Sequence, residues 1–256
     1  MTTGFSLAKR FRAGETVYTA WCGLAAPIVV ETIAREGFVA VALDQQHGLY
    51  DAATTQAGIA AVRLAGAAAM VRVPVGDFAG VSRMLDFGAE AVVMPMINTV
   101  ADARLFAAAA KYPPLGERSW GPMRAMTLAG IADAGSYLRD ANTFTLAIAM
   151  IETRTALDNL DAIVATPGID GVFIGPSDLA ITLSGGKSME TTAEIEKAMD
   201  RIGEAARKAG KFAGAYCVDA ARAKALSARG FRFIAINSDL GFLCTGAGDM
   251  LKALKG

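Results

Sequence analysis

Apolar residues recur along the chain in short unbroken runs, at Thr16–Cys22, Phe38–Leu43, Ala67–Val73, Ala91–Met94, Thr145–Ile151, Gly171–Ile174, Phe212–Tyr216 and Phe231–Ile236. Runs of this length without polar alternation belong to strands covered on both faces, as in parallel sheets. Between them the apolar positions switch to helical spacing, as in Ile28, Ile33 and Ala34, then Ile59, Val62 and Leu64, then Val81, Met84 and Leu85. Gly37, Gly66, Gly88, Gly168, Gly210 and Gly230 each stand just before the next run, where a helix C-terminus calls for a left-handed residue. The repeat predicts eight βα units, and eight units in 256 residues favour a closed (β/α)8 TIM barrel over an open doubly wound sheet. No dinucleotide fingerprint supports the open alternative. One α/β domain over residues 1–256 is expected.

Two stretches exceed the repeat: Tyr112 to Asn142, rich in Pro and Gly, and Ser184 to Lys208, predicted to be mostly helix from Thr192. The final segment carries Leu240, Phe242, Leu243, Met250, Leu251 and Leu254. It is a candidate to pack on, or swap with, a neighbouring subunit, and equally to be the eighth helix of its own barrel.

Charge narrows the range of partners. With 25 basic and 25 acidic residues the net charge is zero and no basic stripe is visible, which argues against nucleic acid and anionic membrane. Charged residues make up 20%, below the roughly 25% usual in soluble domains, so some apolar surface is expected to be buried between subunits. No apolar segment approaches the roughly 20 residues needed to span a bilayer. Lys9, Arg10 and Arg12 have no apolar core behind them, so a signal peptide is not expected and the default location is cytoplasmic. Cys22, Cys217 and Cys244 are widely spaced and, with one histidine in the chain, make a zinc site a poor fit.

In a parallel barrel, chemistry collects where strands end, because the loops there face one another across the opening. The polar residues so placed are Asp44, Gln45 and His47 after the second run, Arg72 at the end of the third, Glu152 and Arg154 after the fifth, Ser177 and Asp178 after the sixth, and Asn237 and Ser238 after the eighth. His47, the lone histidine, could serve as a base near neutral pH or as a hydrogen-bonded structural residue. Glu152 and Asp178 could cap the helices that follow them. Together they also form a plausible seat for a hard divalent cation that keeps waters and takes oxygens from a substrate. Gly185-Gly186-Lys187-Ser188 imitates the end of a phosphate-binding loop, but Ile181 stands where the first glycine is required. None of the nine lysines is predicted at a strand's carboxyl end, which disfavours Schiff-base catalysis.

Six separated motifs appear in order: Asp44-x-x-His47; Val71-Arg72-Val73-Pro74; Leu85-Asp86-x-Gly88-Ala89; Tyr112-Pro113-Pro114-x-Gly116; Ile151-Glu152-Thr153-Arg154; and Gly171 to Leu179, Gly-Val-Phe-Ile-Gly-Pro-Ser-Asp-Leu. From about Phe11 onward the chain resembles the HpcH/HpaI family of class II, metal-dependent pyruvate aldolases, the 4-hydroxy-2-oxoheptane-1,7-dioate aldolase group. The resemblance implies that Glu152 and Asp178 hold a divalent metal, Mg2+ or Mn2+ with Co2+ as a further option, and that Arg72 holds the keto oxygen. It implies a His47–Asp86 dyad as the proton-transfer pair, and backbone amides near Ser177 and Asp178 for the ketoacid carboxylate. It puts Trp21 on the aldehyde side, and Gln45, by its place at the end of the second run, is expected to bind substrate as well. Gln46 and Met150 depart from the family pattern, where an acidic residue and a glutamine are usual.

The implied activity is reversible cleavage of a 4-hydroxy-2-oxo acid to pyruvate, or hydroxypyruvate, and an aldehyde, with enolate charge stabilised by the metal. The implied assembly is a homo-oligomer, a hexamer built as a trimer of dimers. Two rivals stay open: a CoA-ester lyase of the malyl-CoA or citramalyl-CoA type, and a non-catalytic ketoacid-binding barrel. Arg118 or Arg124, in the first insertion, could reach a distal carboxylate of the substrate.

Overall fold

The computed structural model describes residues 4–255; Met1–Thr3 and Gly256, counted in the expected domain, lie outside the described residues. Helix α1 (Leu7–Arg12) leads into β1 (Val17–Cys22), α2 (Pro27–Arg35), β2 (Ala40–Asp44), α3 (Ala52–Leu64), β3 (Ala68–Arg72), α4 (Phe78–Phe87), β4 (Ala91–Met94) and α5 (Val100–Ala110). The first insertion folds as α6 (Met123–Ala129) and α7 (Ala134–Phe144) before β5 (Leu146–Met150), α8 (Arg154–Asp158) and α9 (Leu160–Ala165). Then come β6 (Gly171–Ile174), α10 (Pro176–Leu183), α11 (Ala193–Lys208), β7 (Phe212–Cys217), α12 (Ala220–Ala228), β8 (Phe233–Ser238) and α13 (Asp239–Lys255). The eight strands pair in parallel and in order, and β8 closes on β1, so the expected (β/α)8 barrel is the observed fold.

Each of the six glycines that close the repeats has φ between 70° and 109°. A side chain in that conformation costs about 1–2 kcal/mol, which is why the repeat is marked by glycine and not alanine. The apolar runs divide by parity. Ala40, Ala42, Met70, Ile148, Met150 and Phe173 fill the barrel, whereas Val41, Leu43, Val71 and Ala149 face the helices.

The barrel's interior holds a run of rings in contact, Trp21 on Phe173 at 5.3 Å, Phe173 on Phe233 at 4.8 Å, and Phe11 of α1 stacked on Phe212 at 3.9 Å. Small residues, Ala40, Ala42, Ala68 and Ala91, line the opposite wall and leave room for them. Leu7, Ala8 and Phe11 bury against this interior, so α1 plugs the amino end of the strands.

Helix C-termini converge at that plugged end, and cations collect on their free carbonyls. Lys111 Nζ donates to Thr145 O at 2.5 Å and Asn142 O at 3.2 Å, Arg12 to Thr143 O at 2.7 Å, Lys211 to Thr166 O at 2.9 Å and Arg232 to Ser227 O at 3.2 Å. The carbonyls of a helix's last turn lack partners within the helix and carry its negative dipole end. The basic residues that line a cavity at this end are therefore explained by the helices themselves.

Candidate active site

Asp44 and Arg72 are direct neighbours across the β2–β3 ladder, and both side chains point into the barrel mouth. Arg72 Nε and Nη2 grip the two Asp44 oxygens at 2.8 and 2.5 Å, a bidentate pair that fixes the guanidinium plane. Trp21 Nε1 adds a donor to Asp44 Oδ2 at 3.3 Å, and its ring lies 5.0 Å from the guanidinium carbon. Burial alone would raise the Asp44 carboxyl. The Arg72 hydrogen bonds and charge, with the Gln46 and His47 amides, outweigh it and hold the group below its usual range.

Glu152, just past β5, is 1% exposed. Its Oε1 accepts the Met96 amide at 2.9 Å, and its Oε2 has no partner among the described residues. Gly175 explains where Oε2 is directed: a Cβ at that position would stand 2.6 Å from Glu152 Oε2 and 3.4 Å from Asp178 Oδ2. Both carboxylates therefore converge on space left by a missing side chain. Desolvation pushes the Glu152 carboxyl up to about 7; the Met96 amide and Arg72 pull it down, and the Asp178 charge raises it further. A buried carboxylate in that condition gains from a nearby cation.

Among the described residues no three His, Cys, Asp or Glu side chains cluster as a ready-made metal cage. The residues present fit a cation held by two carboxylates, its other positions filled by water or substrate oxygens, which is how small hard cations are usually bound.

The remaining walls are His47, Met150, Phe173, Pro176, Ser177 and Tyr216, around a cavity of about 300 Å3. His47 stays exposed at the rim. Its loop is seated by Gly48, whose hypothetical Cβ would overlap Asp44 O at 2.2 Å and Gly23 Cα at 2.9 Å, so only glycine lets the two loops touch. Asp239 fastens the far side by accepting the Gly23 and Leu24 amides at 3.0 and 2.8 Å. At α10, Leu179 makes the first bond back to Gly175 O, which leaves the Ser177 and Asp178 amides without an intrahelical partner beside the cavity.

The structure thus brings Trp21, His47, Arg72, Ser177 and Asp178 to one cavity, with Glu152 directly behind Gly175. Gln45 does not join them. It donates to Thr55 Oγ1 at 2.9 Å on the helix side, because it shares the parity of Val41 and Leu43. Asp86 on α4 does not meet His47 within this chain; its Oδ1 accepts Arg118 Nη2 at 2.6 Å. Arg118, 3% exposed, is spent on that pair and lies over the Tyr112 ring at 4.6 Å, away from the cavity. Arg154 reaches Leu183 O at 3.3 Å, and Asn237 accepts the Ser238 amide at 2.8 Å.

Asp44, already placed at a strand end, and Met150, already noted beside the substrate, line the cavity, and so do Phe173 and Tyr216, which carry no chemistry that singles them out. Period-2 counting could have found them: Ala40-x-Ala42-x-Asp44 and Phe212-x-Gly214-x-Tyr216 put the last member of each series on the inner face. The Met96 amide carries no side-chain signal and could not have been found that way.

A parallel barrel with two carboxylates, a clamped arginine and a histidine at its carboxyl end is the architecture of a TIM-barrel enzyme. The profile of the HpcH/HpaI aldolase/citrate lyase family matches residues 18–245, and the chain belongs to that family. It is accordingly a carbon–carbon lyase. The chain is 37% identical to a hydroxypyruvate/pyruvate aldolase from Rhizorhabdus wittichii, over 91% of this chain and 92% of that one. It is 35% identical to a 4-hydroxy-2-oxovalerate aldolase from Novosphingobium aromaticivorans, over 96% and 93%. A crystal structure of an HpcH/HpaI aldolase/citrate lyase family protein from Burkholderia cenocepacia superposes with a TM-score of 0.89 at 29% identity, covering 98% of this chain and 99% of that one.

Proposed function

We propose that the chain is a divalent-metal-dependent aldolase that reversibly cleaves a 4-hydroxy-2-oxo acid into pyruvate, or hydroxypyruvate, and an aldehyde. The observation that carries this reading is the buried, unpartnered Glu152 Oε2 converging with Asp178 beside Arg72. Glu152 and Asp178 would hold Mg2+ or Mn2+, with Co2+ an alternative. When bound, the cation supplies Lewis-acid stabilisation of the negative charge that develops on the ketoacid oxygens.

The chain's own groups do the rest. Arg72, its Nε and Nη2 committed to Asp44, offers Nη1 to the keto oxygen. The Ser177 and Asp178 amides at the start of α10 receive the ketoacid carboxylate. His47 takes the proton from the C4 hydroxyl; the C3–C4 bond breaks, C4 becomes the aldehyde carbonyl, and C3 is then protonated to give the methyl or hydroxymethyl group. Trp21, Met150, Phe173 and Tyr216 form the mainly apolar wall for the aldehyde. Asp86, held by Arg118 within this chain, has no part in this scheme.

A CoA ester is a poor fit: Arg72, gripped by Asp44, is the sole Lys or Arg among the cavity's lining residues, so nothing there awaits the CoA phosphates. Stripping with EDTA should abolish turnover and Mn2+ should restore it, while borohydride with pyruvate should trap no adduct. His47→Ala should slow exchange of the pyruvate methyl protons with D2O, followed by NMR, by about 100-fold or more. Binding of pyruvate with no exchange in the wild type would favour a non-catalytic barrel instead.

We also propose that the chain works as a homo-oligomer, a hexamer by resemblance. Leu240, Leu243, Met250, Leu251 and Leu254 are exposed on α13, beside an apolar groove shared with α2. Light scattering tests this. A cytoplasmic location suits three unbridged cysteines, and no helix among the described residues is long and apolar enough to cross a membrane.

A further inference from the structure

Met96 follows β4 with φ of +54°, one of two non-glycine residues described with a positive φ. Left-handed backbone at a residue with a Cβ is strained and persists only where its surroundings enforce it. Here the surroundings are visible. Asn98 donates its amide to Asp102 Oδ2 at 3.2 Å, its side chain is hydrogen-bonded to Thr153 Oγ1, and its carbonyl accepts Asn159 Nδ2 at 3.0 Å. The loop after β4 is thereby stitched to the loop after β5, on which Glu152 sits. The left-handed turn aims one amide, Met96 N–H, at Glu152 Oε1 at 2.9 Å.

We infer, on the reading of Glu152 as a metal ligand, that Met96 is a positioning residue for the cation site. Its amide pins Oε1 and so sets the rotation of the carboxylate that leaves Oε2 free over Gly175, toward Asp178. An unpinned carboxylate could turn Oε2 away or share Oε1 with other donors. The contact works through conformation and not through the Met96 thioether. Residues that tolerate positive φ should therefore preserve it, and β-branched residues, for which that region is a genuine outlier, should not.

The test is Mn2+ binding to EDTA-stripped protein, measured by EPR, with melting in EDTA to show that each variant is folded. Met96→Gly and Met96→Asn should bind Mn2+ within about threefold of wild type. Met96→Val should bind roughly 10- to 100-fold more weakly and alter the bound Mn2+ spectrum, a loss typical when a group that orients a ligand is disturbed. Met96→Val binding as tightly as wild type with the same spectrum would overturn the inference alone, as would Met96→Gly failing as badly as Met96→Val. A wild-type protein that takes up no Mn2+ would overturn the reading of Glu152, and this role with it.

Discussion

Two buried glutamates, one at each end of the barrel, are handled in opposite ways. At the amino end, Glu90 is fully buried, yet Arg63 meets one of its oxygens and the Ser6 and Leu7 amides meet the other at 2.8 and 2.7 Å. Lys111 is likewise enclosed, with Asp170 at 2.7 Å and two carbonyls accepting from it. At the carboxyl end, Glu152 is as deeply buried, but among the described residues one of its oxygens is unmatched and a strained residue supplies its only donor. The unmatched oxygen of Glu152 is the group that the proposed cation would satisfy.

The largest expected effect tests the satisfied end. Arg63→Ala leaves Glu90 buried without its countercharge and should destabilise the protein by about 3–5 kcal/mol in denaturant unfolding, with turnover per folded molecule unchanged. A loss below 1 kcal/mol would show that the amino end is not held by its ion pairs.

The next effect sharpens the contrast at the mouth through pH. Glu152 ionises near 7 in the folded, metal-free chain against an ordinary value of 4.5, so the folded state holds the proton more tightly than the unfolded state does. Stability of the stripped protein should therefore fall as pH rises between those values, and stay reduced above them. Glu152→Gln should flatten that slope and, at pH 8 in EDTA, stabilise the protein by about 1–3 kcal/mol in thermal melts, while Mn2+ binding is lost. A steeper slope in the variant would refute the account.

The smallest change is a single methyl group. Gly175 has an ordinary backbone, φ −88° and ψ 97°, so alanine is sterically permitted by the chain but not by the carboxylates. Gly175→Ala should fold normally and bind Mn2+ about tenfold or more weakly in titration calorimetry. Unchanged affinity would mean that the space above Gly175 is not where the ligand sits.

Much of this is legible in the sequence itself. Buried runs marked the strands, and their observed bounds moved by only one or two residues where side chains surfaced, as at Phe38 and Val39, or were recruited, as at Asp44. The helix predicted from Thr192 begins at that cap. The assignments that part from the geometry are Gln45, whose parity faces the helices, and Asp86, whose partner comes from an insertion with no repeat to locate it.

Sequence alone determined that the chain is an eight-fold βα repeat and that Arg72, Glu152 and Asp178 stand at strand ends. The spacing of apolar residues and the glycine at each helix end are local properties that the chain carries residue by residue. Only the closed barrel decided which oxygens are satisfied: that Asp44 clamps Arg72, that Met96 turns left-handed to hold one side of Glu152, and that Gly175 opens the other. Those facts depend on groups far apart in the chain meeting at fixed distances, and no local pattern encodes a distance.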